Sequence, residues 1–231
     1  MLRDKARVTV NMNGPYTVYG NLPLNVKEII RNSAGEASGW SVIRRYPNQR
    51  IYTLCRCGKS RSKPFCDGTH DKKGFDEAET ASLKRYFEQA EIEEALGISL
   101  ADVQSLCAAS RFCHGAGGIW NLLEKSGDPK IRKIIVEEAC NCASGRLVAI
   151  DKQSQKPIEP LLEKAISLVE DPIEGISGPI RLEGGVELVS HDGKQYETRN
   201  RITICRCGKS KNKPFCDSTH VHTRFKCKYK K

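Results

Sequence analysis

Residues 55–70 read CRCGKSRSKPFCDGTH, and residues 205–220 read CRCGKSKNKPFCDSTH. Both copies follow the order C-x-C-x8-C-x3-H, with candidate ligands Cys55, Cys57, Cys66 and His70 in the first and Cys205, Cys207, Cys216 and His220 in the second. Thiolates and imidazole suit iron-sulfur clusters or zinc, and suit hard cations poorly. We therefore predict two metal centres, one near each end of the chain.

The spacing within a motif predicts its local geometry. In an extended segment Cys55 and Cys57 point to the same side, while Arg56 points out. The interval from Cys66 to His70 is that of one face of a helical turn, so these two side chains are expected to stack at the start of a helix. Ser60 and Asp67 are placed to cap and orient the turn.

Two other uses of the cysteines have to be weighed. A pair of zinc knuckles with three cysteines and one histidine is one alternative, but such knuckles commonly space their cysteines two to four residues apart. A C-x-C pair instead suits an iron whose other ligands are bridging sulfides. A disulfide framework is disfavoured because the total of 11 cysteines is odd.

The motif at residues 55–70 resembles the CDGSH iron-sulfur family, the NEET proteins. The resemblance implies one [2Fe-2S] cluster per motif, with Cys55 and Cys57 on one iron and Cys66 and His70 on the other. The second cluster would use Cys205 and Cys207, then Cys216 and His220. The second copy departs from the family pattern at Ser218, where a glycine suits a positive φ or close packing.

The repeat is longer than its ligands. Residues 14–24 match residues 178–188, with alternation and glycines typical of strands and turns. We expect each motif to be preceded by its own small sheet, with a hairpin turn at residues 191–194. The first copy holds additional residues around 27–40, which we expect to form a loop or a short helix.

Between the repeats the pattern becomes helical. We predict helices over residues 80–96, 100–111, 119–125, 129–139 and 160–168, with Ser99 and Asp128 as N-caps.

Four more cysteines lie in this middle segment, namely Cys107, Cys113, Cys140 and Cys142. The segment resembles the divergent single-cluster ferredoxins, because Cys107 and Cys113 are spaced C-x5-C and Cys142 opens the run CASGRL. The resemblance implies a [4Fe-4S] cluster on four thiols, or a [3Fe-4S] cluster on three with one spare. Buried structural cysteines are the alternative. His114 could replace a thiol, and Cys227 is expected to be a free thiol.

Charge and composition bear on partners. The net charge of +10 is concentrated in the two motifs and in residues 224–231. Basic neighbours stabilise a net negative cluster and attract an acidic redox partner. Aromatic residues make up only 6%, which argues against a base-stacking nucleic-acid surface. Neither a signal peptide nor an apolar stretch of membrane-spanning length is evident, so we expect a cytoplasmic protein without membrane contact.

Together these features predict an α+β fold. Two small β-rich modules, residues 1–76 and 159–231, form an intrachain pseudo-dimer around a helical ferredoxin-like insert, residues 77–158, in a monomer. The predicted function is one-electron transfer through two [2Fe-2S] clusters and a third, [3Fe-4S] or [4Fe-4S], cluster. Storage of clusters and their transfer to an apo acceptor is one alternative, and a zinc-dependent nucleic-acid-binding module is another. No catalytic residues are assigned, since no nucleophile set, phosphate loop or dinucleotide fingerprint is present in the sequence.

Overall fold

The chain is built mainly from short strands. The computed structural model describes residues 5–229. Its strands are Arg7–Val10 (β1), Tyr16–Tyr19 (β2), Leu24–Arg31 (β3), Ala37–Arg45 (β4), Ile51–Leu54 (β5), Glu91–Glu94 (β6), Ile98–Asp102 (β7), Leu147–Asp151 (β8), Pro157–Ile158 (β9), Ala165–Asp171 (β10), Ile176–Glu183 (β11), Glu187–Val189 (β12) and Arg201–Ile204 (β13). Its α-helices are Thr69–Lys72 (α1), Ile119–Leu123 (α2), Pro129–Asn141 (α3) and Thr219–His222 (α4). The α+β class predicted from the sequence is confirmed.

Two sheets built from both ends of the chain share one core. Their strand orders are β12-β1-β2-β5 and β13-β11-β10-β3-β4. Alternation along the strands supplies this core: in β1, Val8 and Val10 are buried, while Arg7 and Thr9 are more exposed. Residues of both sheets form a single hydrophobic cluster.

The two halves exchange strands about a pseudo-two-fold relation. Strand β12 of the second half pairs in parallel with β1, and β3 of the first half pairs in parallel with β10. The pairs Val8–Leu188 and Ile166–Leu24 correspond under this relation. The predicted pseudo-dimer is thus present in the fold. The expectation of a separate sheet for each motif is wrong, because each sheet takes strands from both repeats.

The exchange also bears on the domain boundaries. The boundaries at residues 76 and 158 stay a prediction, since the shared core joins the first and third predicted modules. The predicted turn at residues 191–194 is confirmed, with the N–H of Ser190 donating to the carbonyl of Lys194 and Val189 bridging Gln195.

The additional residues of the first repeat form strand, not a loop or a helix. They extend β3 and add β4 as an edge strand, joined by a turn at residues 32–36. The side chain of Asn32 accepts hydrogen bonds from the N–H groups of Ala34 and Glu36, which closes the turn. The insertion therefore widens one sheet.

The central segment contains a third sheet, of order β6-β7-β8-β9, beside α2 and α3. The helices predicted at 119–125 and 129–139 are confirmed, and Asp128 caps α3 by accepting from the N–H of Lys130. The helices predicted at 80–96, 100–111 and 160–168 are wrong. Ser99 lies inside β7 instead of capping a helix. Pairing of β7 with the distant strand β8 is a non-local interaction that overrides local propensity.

Candidate metal centre

Each metal-binding loop folds back on the strand that delivers it. After β5, the N–H of Cys55 donates to the carbonyl of Pro64, and the N–H of Cys66 donates to the carbonyl of Thr53. The same two bonds recur after β13, from Cys205 to Pro214 and from Cys216 to Thr203. The loop therefore returns its third cysteine to the strand end where the first two lie.

The first two cysteines of each motif form a close pair. The Sγ atoms of Cys55 and Cys57 are 3.8 Å apart, and those of Cys205 and Cys207 are 3.6 Å apart. Both pairs are buried. This is the placement that the C-x-C spacing predicts.

The third cysteine and the histidine form a second pair. Cys66 Sγ lies 3.5 Å from His70 Nδ1, and Cys216 Sγ lies 3.3 Å from His220 Nδ1. Helix α1, however, begins only at Thr69, so Cys66 precedes the helix instead of occupying its first turn. Gly68, with φ 76, turns the chain between them. The side chains meet as expected, but through a turn before a shorter helix.

Ser60 and Asp67 orient the loop, and their counterparts do the same in the second copy. Asp67 accepts from the N–H groups of Arg61 and Thr69, and the Ser60 hydroxyl donates to the carbonyl of Phe65. Asp217 and Ser210 make the equivalent bonds. These bonds hold the turn that presents the third and fourth candidate ligands.

The arginine between the paired cysteines is buried, not exposed. Arg56 and Arg206 are only 3% and 4% exposed. Arg206 donates to the carbonyls of Gly178 and Val169 and pairs with Glu170, whereas Arg56 donates to the carbonyls of Asn11 and Glu77. The expectation that Arg56 points outward into solvent is wrong, because its side chain ties the loop to neighbouring backbone.

Proton sharing makes each cysteine pair partly anionic. A hydrogen bond from Cys55 lowers the pKa of Cys57 to about 6, and one from Cys207 lowers the pKa of Cys205 to about 6. The partner thiol in each pair has its pKa raised by the same bond. The shared hydrogen bond thus favours one thiolate in each pair, which is the form that binds metal.

The donors fall into pairs and do not close around one ion. Within residues 5–229, no group of three or more cysteine, histidine or acidic side chains could hold a single metal ion. A tetrahedral zinc site needs four donors on one point. In a [2Fe-2S] cluster each iron takes two protein ligands and two sulfides. The paired arrangement of soft donors fits an iron-sulfur cofactor, and the geometry defines a protein with two candidate metal centres.

The comparison with known families agrees with this class. Residues 13–71 and 177–221 each match the family described as iron-binding zinc finger, CDGSH type. The chain therefore carries two regions in tandem that match this iron-binding family. No curated protein and no solved structure matches the chain.

The two centres are not equivalent. Cys216 and His220 are 3% and 4% exposed, whereas Cys66 and His70 are only partly buried. Burial, followed by the charge of Arg206, lowers the pKa of His220 to about 4. The difference in exposure arises because the central segment covers the second motif: Cys216 lies in one apolar cluster with Ala108 and Ala143.

Three of the four central cysteines line one small cavity. Cys107, Cys113 and Cys142 border it together with Ser110 and Arg146. Burial, then the charges of Cys142 and Cys107, raises the pKa of Cys113 to about 12. Cys140 lies apart, with its thiol 3.7 Å from the carbonyl oxygen of Ile158.

The central site contains features that sequence reasoning missed. The Ser110 hydroxyl is buried and has no hydrogen-bond partner among the described residues. Arg146 binds both oxygens of Asp102 at 2.6 Å. Arg201, fully buried in β13, donates to the carbonyls of Ala139, Cys140 and Cys142 and so fixes the end of α3. An arginine in an alternating strand carries no sequence signal for this role.

The remaining sequence candidates lie outside these centres. His114 is exposed and does not border the three-cysteine cavity. Cys227 is partly buried and forms no disulfide within residues 5–229. Among residues 5–229, no helix is both long and apolar enough to span a membrane.

Proposed function

We propose that this protein is a one-electron carrier that holds two [2Fe-2S] clusters, one on Cys55, Cys57, Cys66 and His70 and one on Cys205, Cys207, Cys216 and His220. The observation that carries the proposal is the repeated arrangement of two donor pairs per motif. Such clusters supply reversible one-electron redox chemistry, and an imidazole ligand in place of a thiolate raises the potential.

A third cluster on Cys107, Cys113 and Cys142 extends the proposal. Three thiols around one cavity match a [3Fe-4S] cluster, with Cys140 as the spare thiol. The unpaired Ser110 hydroxyl and the Arg146 guanidinium beside the cavity would donate hydrogen bonds to a negatively charged group.

The proposed third site would lie beside the second motif. Ala108 follows Cys107, Ala143 follows Cys142, and both side chains contact the apolar cluster that contains Cys216. Both proposed sites thus adjoin the same apolar cluster, which supports electron exchange between them.

A lysine-lined groove is the proposed docking surface for an acidic redox partner. The groove, of about 620 Å³, follows both metal-binding loops and is bordered by Lys59, Lys209, Lys211 and Lys213, with Asp76 as its single carboxylate. Cys57 forms part of its wall. A partner bound there would approach the first centre while its negative surface meets the lysines.

Transfer of the first cluster to an apo acceptor is a second candidate function. The partial exposure of Cys66 and His70 favours it, because an acceptor thiol can reach this centre more readily than the buried second one. The paired donors do not favour the zinc-dependent nucleic-acid-binding alternative.

Metal analysis and redox cycling test these functions. Anaerobically purified protein is expected to be red-brown, with about four irons and about four acid-labile sulfides from the two [2Fe-2S] clusters and about three more irons and four more sulfides from a [3Fe-4S] cluster. Colourless protein with stoichiometric zinc would end the iron-sulfur proposal. An electron carrier should survive repeated reduction by dithionite and reoxidation with its absorption intact, whereas a cluster donor should lose iron to an apo-ferredoxin.

The same proposal covers the oligomeric state. Because both copies of the module already pair within one chain, we expect a monomer. Light scattering coupled to size-exclusion chromatography at several protein concentrations measures this directly, and a concentration-independent dimer would contradict it.

A further inference from the structure

Another cavity, larger than the three-cysteine cavity, lies between the central segment and the second metal-binding loop. Its volume is about 310 Å³. Tyr86 and Ser144 border it from the central segment, Arg199 and Thr203 from β13 and the residues before it, and Phe215 from the second motif. This volume is at the lower end of the range found for small-molecule sites, which occur preferentially between structural units.

Two buried polar atoms of the lining residues have no partner. Among the residues that the structure describes, nothing accepts from Arg199 Nη1 or bonds to Thr203 Oγ1. The other terminal nitrogen of Arg199 donates to the carbonyl of Gly145, and the guanidinium stacks on the Tyr86 ring with Cζ 3.9 Å from the centroid. These two contacts hold the guanidinium in place, and its nitrogen Nη1 is left without a hydrogen-bond acceptor.

An unpaired buried guanidinium donor is costly, and a negatively charged acceptor would remove that cost. Arg199 forms no ion pair with any described carboxylate. Among the lining residues, Lys84 adds a second cation, while Glu197 is the one carboxylate and accepts the Tyr86 N–H at 2.6 Å. The charged residues of the lining, Arg199 and Lys84 against Glu197, thus carry a net positive charge.

The rest of the lining is suited to an apolar body. Leu106, Ile202 and Phe215 contribute aliphatic and aromatic surface, and Tyr86 and Tyr196 contribute two further rings. The hydroxyls of both tyrosines are already engaged, that of Tyr86 with the carbonyls of Ala101 and Arg146 and that of Tyr196 with Glu79. Arg199 covers one face of the Tyr86 ring, and the Tyr196 ring packs against Phe215, so the rings offer a ligand only the surface that remains.

We propose that this cavity binds a small organic anion, a carboxylate or phosphate on an aromatic or apolar body, with Arg199 Nη1 and Thr203 Oγ1 as its hydrogen-bonding partners. The bound molecule would touch Phe215, which precedes Cys216, and Ser144, which follows Cys142 by two residues. It would therefore bridge the second centre and the three-cysteine site.

Four probe molecules separate the contribution of the negative charge to binding from that of the aromatic ring. Benzoate and phenyl phosphate carry both, benzyl alcohol carries only the ring, and inorganic phosphate carries only the charge. Titration of the full-length, metal-loaded protein by calorimetry, with saturation-transfer NMR of each probe, should show binding of benzoate or phenyl phosphate in preference to the two partial probes. Equal binding by benzyl alcohol, or no binding by either aromatic anion, would overturn the proposal.

Variants locate the bound probe. Arg199→Gln should weaken binding of the aromatic anion about tenfold or more, because a charged hydrogen bond is lost. Thr203→Val, which keeps the shape of the side chain, should weaken it roughly threefold. Arg31→Gln, at the exposed end of β3, is the matched control and should bind as the parent does.

Iron content and visible absorption of each sample are measured in parallel. They report on the proposed metal centres independently of the anion, so the two proposals fail separately. If Arg199→Gln is misfolded by circular dichroism, Thr203→Val decides the matter. Unchanged affinity in that variant, or in a folded Arg199→Gln variant, would place the probe elsewhere and contradict the proposal.

Discussion

Gly58 and Gly208 hold the two metal-binding loops in reciprocal backbone contact. A Cβ on Gly58 would lie 2.5 Å from the carbonyl oxygen of Cys207, and one on Gly208 would lie 2.4 Å from the carbonyl oxygen of Cys57. Both glycines have positive φ, 73° and 77°. The two loops meet where the two halves of the pseudo-dimer are related by the pseudo-two-fold axis. At these two positions there is no room for a Cβ atom, so only glycine fits.

Gly58→Ala should therefore destabilise the fold more than its backbone conformation alone explains. The positive φ costs ~1 to 2 kcal/mol, and the clash with backbone should add ~1 to 3 kcal/mol. Gly193→Ala is the matched control, since Gly193 has φ 85 and nothing within 4 Å of a built Cβ. Urea unfolding measures both, and equal losses would show that the loops do not pack this closely.

The central cysteines should divide into three that bind iron and one that does not. Serine at Cys107, Cys113 or Cys142 should reduce iron towards the roughly four atoms that two [2Fe-2S] clusters hold. Cys140→Ser should leave the iron content unchanged, because that thiol faces Ile158. Iron and sulfide are measured on anaerobically prepared protein. A parent protein that already stops at about four irons would favour structural cysteines instead.

Gly68 and Ser218 are equivalent positions, each two residues after the third cysteine of its motif, and exchanging the two residue types should have opposite effects on stability. Ser218 adopts φ 69, nearly the same as Gly68 at φ 76. Ser218→Gly should stabilise the protein by about 1 kcal/mol, and Gly68→Ser should destabilise it by a similar amount, since a left-handed conformation disfavours a side chain. Thermal unfolding measures both. Changes of the same sign in the two variants would rule out backbone strain as the cause.

Glu138 should make stability fall as pH rises. Burial, then the charge of Glu36, raises the pKa of its carboxyl to about 8 from an ordinary 4.5, so the folded state favours the protonated form. The contribution of Glu138 is therefore favourable below pH 4.5 and is lost as pH rises through about 8.

Glu138→Gln should remove this loss, so the melting temperature of the variant relative to the parent should increase between about pH 6 and about pH 9. Glu137→Gln is the control, because its side chain is exposed and pairs with Lys133. A difference that stays constant with pH for Glu138→Gln would show that its carboxyl titrates normally.

His70→Cys should keep a cluster in the first motif while lowering its potential and slowing its loss in acid. Thiolate in place of imidazole adds negative charge, and the protonatable ligand is removed. Decay of the visible absorption after a drop in pH, together with redox titration, measures both effects. His191→Cys adds a thiol outside the motifs as a control. An unchanged rate of acid loss would show that His70 does not control release.

The local geometry of the metal centres was predictable because it depends on neighbours in the chain. The C-x-C spacing brings Cys55 and Cys57 together, and the interval from Cys66 to His70 brings those two together even though α1 begins later than expected. The helices at α2 and α3 were predictable for the same reason. Where β7 and β10 form, local periodicity indicated helix, and pairing with distant strands decided otherwise.

The sequence by itself determined the two motifs, their donor atoms and the tandem repeat, because spacings of one to four residues fix which side chains can meet. Only the tertiary structure decided the exchange of β3 and β12, the burial of the second centre under the central segment, and the separation of Cys140 from the other three central cysteines. These features depend on contacts between residues far apart in the chain. Such contacts form because they bury apolar surface and pair the backbones of strands. The sequence of one strand does not specify which distant strand will be its partner, so these contacts could not be predicted from the sequence.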